Sequence, residues 1–220
     1  MPCYTEAMQK GLAGRVICLD PGHPSENGVG ARGRKLTEVG VAWRVALQTK
    51  KQLNEAGASV ILTKQSENEH VTNRRRAEIA NKANADLMVR LHCDSEGKTG
   101  TATFYPDRTG RAPDGARGPS AQVMRASGDC ARRFHPAMMA VLRPALRDRG
   151  LLSDARTFIG GKQGGALTGS IYSRVPVLLV ELCVLSNPAD EAFAASATGI
   201  DRFAHALVAG VVAALSSDNT

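Results

Sequence analysis

The chain has 220 residues, 43% hydrophobic and 22% charged, enough for one domain with a sizeable core. That balance excludes a disordered or collagen-like chain. Lys and Arg number 28 against 21 Asp and Glu, a net +7, which suits a polyanionic partner such as nucleic acid, an anionic membrane face or a wall polymer. One Trp, three Tyr and five Phe are scattered, without the interleaving of aromatic and basic residues used by single-strand nucleic-acid binders. No nucleic-acid partner is therefore expected. No run of about 18 apolar residues occurs, so no transmembrane segment is expected. Residues 1–14 carry Glu6 and Lys10 and read as an N-terminal extension without the apolar centre of a secretory signal. Cys3, Cys18, Cys93, Cys130 and Cys183 are odd in number and irregularly spaced, which argues against a disulfide framework.

Residues 16–19 are a short apolar run stopped by Asp20-Pro21-Gly22, a strand followed by a turn. Residues 27–34, with Gly28, Gly30 and Gly33, read as a loop. Over 38–56, Ala42, Val45, Ala46, Thr49 and Leu53 fall at helical spacing, and Gly57 suits the C-terminal cap. Strands are predicted at 59–62, at 87–91 ending on His92, and at 101–105, with a helix at 72–84 that opens on Arg74-Arg75-Arg76. Residues 106–129 are rich in Gly, Pro, Ser and Arg without periodicity and read as a long loop insertion. Helical spacing resumes over 130–149, with a bend expected at Pro136 or Pro144. Residues 177–182 form an apolar strand interrupted only by Glu181. Asn187-Pro188, followed by Asp190 and Glu191, is a helix start: a cap, a proline at the first position and acids in the first turn. A final amphipathic helix covers 200–215, with Phe203, Leu207, Val208, Val211 and Leu215 on one face. The alternation predicts an α/β fold, a single domain over 15–216 with a mostly parallel twisted sheet flanked by helices on both faces.

In such sheets ligands collect beyond the carboxyl ends of the strands. Three predicted ends carry suitable groups: His23 after the first strand, His92-Cys93-Asp94 after the third, and Glu181 in the late strand. Glu38 opens the helix that follows the Gly-rich loop. Glu181 is the most informative, because an unpaired carboxylate in an apolar strand costs several kcal/mol, on the order of a buried-ion penalty. A cation, a metal or a proton must compensate. Two His and one Glu make a suitable zinc set that leaves a fourth position for water. A second carboxylate would then take the water's proton and pass it to the leaving amine. His23, Glu38 and His92 fit as ligands and Glu181 as base, although their separations match no compact motif such as HExxH.

Val16-Ile17-Cys18-Leu19-Asp20-Pro21-Gly22-His23 resembles the opening of the zinc-dependent N-acetylmuramoyl-L-alanine amidases of the amidase 3 group. The resemblance continues through Gly30, Leu36-Thr37-Glu38, Arg76-Ala77-Glu78-Ile79-Ala80-Asn81 and Ala85-Asp86-Leu87-Met88-Val89-Arg90-Leu91-His92-Cys93-Asp94. It closes with 177–182 and Leu185-Ser186-Asn187-Pro188-Ala189-Asp190-Glu191, in the family's order over about 15–215. It implies that His23, Glu38 and His92 bind one Zn2+ per chain and that Glu181 is the catalytic carboxylate. It implies hydrolysis of the amide between the lactyl group of N-acetylmuramic acid and L-alanine of the stem peptide. Peptidoglycan is then the partner, with room for a protein activator, and action is extracytoplasmic. Without a signal in the chain, release of a cytoplasmically made, phage-type enzyme stays open beside export.

Two positions depart from the family pattern: Pro24 and Cys183 stand where it has Gly. Strand alternation puts residues 181 and 183 on one side, so Cys183 either approaches the metal region or packs as a small hydrophobe. Cys93 should point away from His92 into the core. The 106–129 segment reads equally as a lid beside the metal or as a solvated loop. His70, His135 and His205 match no ligand position, and Arg76 matches the family without a derivable role. A zinc peptidase acting within the stem peptide would use the same residues, and a non-catalytic wall-binding module would need one of them missing.

Overall fold

The computed structural model describes residues 11–96 and 99–216. Residues 1–10 of the expected N-terminal extension lie outside the described residues. Strands β1 (Val16–Pro21), β2 (Ser59–Leu62), β3 (Leu87–Asp94) and β4 (Thr101–Tyr105) are followed by a short hairpin, β5 (Gly110–Arg111) and β6 (Arg117–Gly118), and then by β7 (Asp148–Ser153) and β8 (Val177–Val184). The main sheet has six strands in the order β2-β1-β3-β8-β4-β7. All its pairings are parallel except that of β4 with β8. The helices are α1 (Glu38–Glu55), α2 (Asn73–Lys82), α3 (Ala121–Leu142), α4 (Phe158–Lys162), α5 (Thr168–Ile171), α6 (Pro188–Ala195) and α7 (Ala197–Leu215).

Helices α1, α3 and α7 cover one face. Val41, Val45 and Leu53 of α1, Phe134 and Met138 of α3, and Phe203, Leu207 and Val211 of α7 join Leu19, Val89, Leu91 and Val180 of the sheet in the main core. Each such side chain stabilises the fold by roughly 1.5–3 kcal/mol. By length and composition α7 could cross a membrane, but half of it is buried in this core, which accounts for its apolar character. The opposite face carries α2, through Ala80 against Cys18, Met88 and Val177. Beside it, Ala102, Phe104 and Leu179 pack under Leu167 and Ile159.

The 106–129 segment is not one loop. It holds the β5–β6 hairpin and the first turns of α3, which begins at Ala121 rather than near residue 130. The buried positions there include Ser127 and Gly128, so no apolar period marks them, while Ser120 caps the helix by accepting from the Val123 N–H at 3.2 Å. Strand β4 runs antiparallel to β8, pairing Ala102 with Glu181 and Phe104 with Leu179. It therefore delivers this segment to the sheet edge away from Glu181. There the hairpin is tied down, with the Arg111 N–H donating to the Gln163 carbonyl at 2.7 Å.

Helical spacing to residue 149 also overran. Helix α3 contains Pro136 and ends at Leu142, and Arg143, placed before Pro144, is extended, as residues before proline prefer. Strand β7 follows, with Asp148, Arg149 and Gly150 as its polar opening.

Candidate metal centre and catalytic carboxylate

The parallel pairing of β1, β3 and β8 brings their carboxyl ends to one edge. Beyond β1, the Gly22 N–H donates to the Leu91 carbonyl at 2.8 Å, which carries the ladder up to the level of His92. His23 follows in the left-handed region, φ 49°, rare for a residue with a side chain and typical of functional sites. Its Nδ1 lies 3.0 Å from the Gly28 carbonyl, so the proton sits there and Nε2 keeps its lone pair. Glu38 stands at the first turn of α1, whose N-cap Thr37 accepts from the Gly40 N–H, and a helix N-terminus favours a carboxylate.

His23, Glu38 and His92 converge so that one ligand atom from each lies within 4.8 Å of the others. Glu38 Oε1 is 2.8 Å from His92 Nδ1, 3.6 Å from His23 Nε2, and accepts from the Cys93 N–H at 3.1 Å. Glu38 Oε2 accepts from the Ala31 N–H at 2.6 Å. Burial raises the Glu38 pKa, but the hydrogen bond and charge of His92, with His23 and the Ala31 N–H, outweigh it and hold the carboxyl below its ordinary range. Burial pushes the His92 imidazole down, against the pull of Glu38. A neutral imidazole and an ionised carboxylate are the forms that ligate metal.

His92 Nε2 is buried with no hydrogen-bond partner among the described residues. The cradle is also shaped by what it lacks. A Cβ on Gly22 would lie 2.6 Å from the His92 ring, and one on Gly30 would lie 2.6 Å from Glu38 Oε2 and 2.8 Å from His23 Cδ2. The donor set, the orphaned nitrogen and the glycine cradle fit a metal ion.

Glu181 pairs with His92 across β3 and β8, on the same side of the sheet. Its Oε2 is buried and unpartnered among the described residues. Burial raises its pKa well above the usual carboxylate range, helped by the charges of Glu38 and Asp94.

Cys183 does not share Glu181's side. His92 pairs with Glu181 and Asp94 with Val184, so Leu182 and Cys183 face the single residue Cys93. This β-bulge turns Cys183 into the main core, with its Sγ 4.0 Å from that of Cys93. Both thiols lie beneath the site, in the apolar layer.

Several residues without a role in the sequence reading hold the ligands in place. Asp20, fully buried at the end of β1, accepts from Arg76 at 2.6 Å, Arg90 at 2.9 Å and Thr63 Oγ1 at 2.6 Å. Arg76 also donates to the carbonyls of Pro21 at 2.7 Å and Pro24 at 3.0 Å, which fixes the turn that carries His23. Lys64 Nζ donates to the His23 carbonyl at 2.6 Å; burial and the charge of Arg76 lower its pKa to about 8. Arg90 stands in an apolar strand as Glu181 does, and that was the signal that could have found it.

At the start of α6, Asp190 and Glu191 brace the approach to β4 and the loop that leads into Glu38. Asp190 Oδ2 accepts from the Gly100 N–H at 2.7 Å, just ahead of β4, and from the Val184 N–H at 2.9 Å, at the end of β8. Glu191 Oε1 accepts from the N–H groups of Lys35 at 2.7 Å and Leu36 at 2.9 Å, just ahead of Glu38. His135 joins α3 to β4 and β7 through Thr103 Oγ1 and Asp148 Oδ1, each at 2.9 Å.

A mostly parallel α/β sheet with a two-histidine, one-glutamate cluster that could hold a metal ion, and a buried glutamate at its carboxyl edge, describes a hydrolase of the amidase type. Residues 17–213 match the N-acetylmuramoyl-L-alanine amidase family Amidase_3, and the chain belongs to that family. It is similar to the N-acetylmuramoyl-L-alanine amidase LytC of Bacillus subtilis, 29% identical over 204 residues, covering 91% of this chain but 36% of LytC. The chain thus spans about a third of that relative. It is also similar to the N-acetylmuramoyl-L-alanine amidase Rv3717 of Mycobacterium tuberculosis, 27% identical over 231 residues, 94% of this chain and 88% of that protein. In fold it resembles the amidase Ami1 of Mycobacterium abscessus, with a TM-score of 0.72 at 24% identity over 93% of this chain and 100% of that one.

Proposed function

We propose that this chain is a zinc-dependent peptidoglycan hydrolase. It cleaves the amide between the lactyl group of N-acetylmuramic acid and L-alanine of the stem peptide. The observation that carries the reading is the His23–Glu38–His92 cluster with Glu181 in register on the neighbouring strand, in a chain of the amidase family. His23, Glu38 and His92 would hold one zinc ion per chain. A zinc ion so held would supply a water nucleophile near neutral pH and a Lewis acid for the scissile carbonyl.

Glu181 is the general base. Burial and the negative charges of Glu38 and Asp94 raise its affinity for a proton, which suits a carboxylate that must take a proton from water and keep it until the amine leaves. Arg76 and Lys64 keep His23 in its left-handed turn, while Asp190 ties the end of β8 to the start of β4 and Glu191 fixes the loop ahead of Glu38. The catalytic unit is taken as residues 15–216, and the net charge of +7 draws it to an anionic wall polymer. Such a substrate places its action outside the cytoplasm, alone or with a protein activator.

Incubation of zinc-loaded protein with peptidoglycan, with and without a chelator, followed by mass spectrometry, tests this. Free stem peptides with new L-alanine N-termini, absent when chelator is present, are the expected products. Shortened stem peptides still attached to sugar would show a peptidase instead.

A further inference from the structure

Three buried side-chain atoms in and beside this centre have no hydrogen-bond partner among the described residues: His92 Nε2, Glu181 Oε2 and Arg149 Nη1. The first two are accounted for as a ligand group and a proton acceptor. The third belongs to a residue outside every motif used above.

Arg149 is aimed by a bulge. Thr101 of β4 pairs with Asp148 of β7 and Ala102 with Gly150, so Arg149 is the extra residue. Asp148 fixes this corner: Oδ1 accepts from the Gly150 N–H at 2.8 Å and meets His135 Nε2 at 2.9 Å, and Oδ2 accepts from Arg143 at 2.5 Å. From β7 the Arg149 side chain reaches past β4 and β8 to β3, where Nη2 donates to Asp94 Oδ2 at 2.7 Å. Glu181 stands between these outer strands, paired with His92 on one side and Ala102 on the other. The Arg149 charge reaches Glu181 and opposes the effects of burial and of Glu38 and Asp94 on it. The Arg149 side chain is 22% exposed, while Nη1 itself lies buried on the side of Glu181 without a partner among the described residues.

A guanidinium with one arm on Asp94 and the other unpaired is built to take a second oxygen, and the strongest partner is one that carries negative charge. We propose that Arg149 is a substrate-contacting residue whose Nη1 donates to an anionic oxygen of the substrate next to the bond being cut. The inference rests on the amidase reading. Two sources supply such an oxygen: the amide carbonyl oxygen as it gains charge when water adds, and a carboxylate of the peptide arm.

The test compares Arg149→Met, Arg149→Lys, Asp94→Asn and the double variant Arg149→Met/Asp94→Asn with the unaltered protein. Zinc content and thermal midpoint establish that each is folded and loaded. Steady-state kinetics then use a soluble muropeptide with free peptide carboxylates and its amidated counterpart. Contact with the carbonyl oxygen lowers kcat on both substrates by about 10²–10³ in Arg149→Met with KM little changed. Contact with a carboxylate raises KM about tenfold or more on the free acid alone. Arg149→Lys keeps part of either effect. Arg149→Met within twofold of the unaltered protein in kcat and KM on both substrates would overturn the proposal. So would full recovery in the double variant, which would leave Arg149 only neutralising Asp94. Calorimetric binding of the free-acid muropeptide to Glu181→Gln and Glu181→Gln/Arg149→Met needs no turnover. If the unaltered protein leaves the amide intact, the amidase reading fails by itself, and equal binding by these two variants then overturns the role of Arg149.

Discussion

His92 and Glu181 are paired residues on adjacent parallel strands, β3 and β8. One ladder thus sets an imidazole of the candidate metal cluster beside a buried carboxylate. Glu38 enters from a third element, the N-terminus of α1, and is bonded to both His92 and the Cys93 N–H.

Glu181 is not needed to hold the ion in this arrangement, so Glu181→Gln separates binding from turnover. Glutamine keeps the volume and removes the proton acceptor. Hydrolysis should fall by about 10²–10⁴, the usual contribution of a general base, while zinc content and thermal midpoint stay at their original values. Metal analysis beside a product assay checks this, and near-normal turnover would take the role away from Glu181.

Gly22 tests the cradle. Its missing Cβ leaves room for the His92 ring, which would otherwise be 2.6 Å away. In Gly22→Ala the ring must tilt out of line with His23 and Glu38. Zinc affinity, read by competition with a chromogenic chelator, should drop about tenfold or more, the range seen when ligand orientation is disturbed. Gly161→Ala is the control, since its added Cβ would come no closer than 3.3 Å to the Ala155 carbonyl.

Arg76 supports the same centre from below. It and Asp20 are both fully buried, and besides Asp20 it donates to the carbonyls of Pro21 and Pro24 around His23 and to that of Val71. Arg76→Met strands Asp20 with Arg90 and Thr63 alone. The expected loss is about 3–5 kcal/mol in urea unfolding, as for other broken buried pairs. Zinc affinity should fall with it, because the His23 turn loses two of its carbonyl anchors. A loss below 1 kcal/mol would show that Arg90 alone suffices for Asp20.

The fold and the convergence of the four candidate residues were legible because polar residues interrupting apolar strands are costly and few. Glu181 announced itself that way, and the strand ends at Gly22-His23 and His92 followed from where parallel sheets gather ligands. Other parts were hidden for physical reasons. The opening of α3 buries Ser127 and Gly128, which carry no apolar period, and β7 opens on Asp148-Arg149-Gly150. Helices α4 and α5 have 5 and 4 residues, too short to show a repeat. The side taken by Cys183 depends on a bulge in the pairing of two distant strands, which alternation along one strand does not reveal.

Asp154 gives a prediction about pH. It is buried beneath the sheet face at 1% exposure, and its Oδ2 accepts from the Leu167 N–H at 3.2 Å. Burial raises its pKa from 3.8 to about 6, and the hydrogen bonds from Ser170 and Leu167 offset only part of this. The folded state therefore binds this proton more tightly than the unfolded chain does. At pH 3 the group is protonated in both states and costs nothing. Stability falls as pH rises between the two pKa values, and above about 6 the deficit is constant, about 3 kcal/mol for a shift of about two units. Asp154→Asn keeps an acceptor oxygen and carries no charge. It should match the unaltered protein in urea unfolding at pH 3 and exceed it at pH 7.5, by up to about 3 kcal/mol. Taking the difference at each pH removes the contribution of Asp20, whose pKa is lowered by Arg76 and Arg90 against the effect of burial and whose stabilisation is lost as pH falls. An equal difference at both pH values would mean that Asp154 titrates like an exposed carboxylate and that its burial is fully compensated.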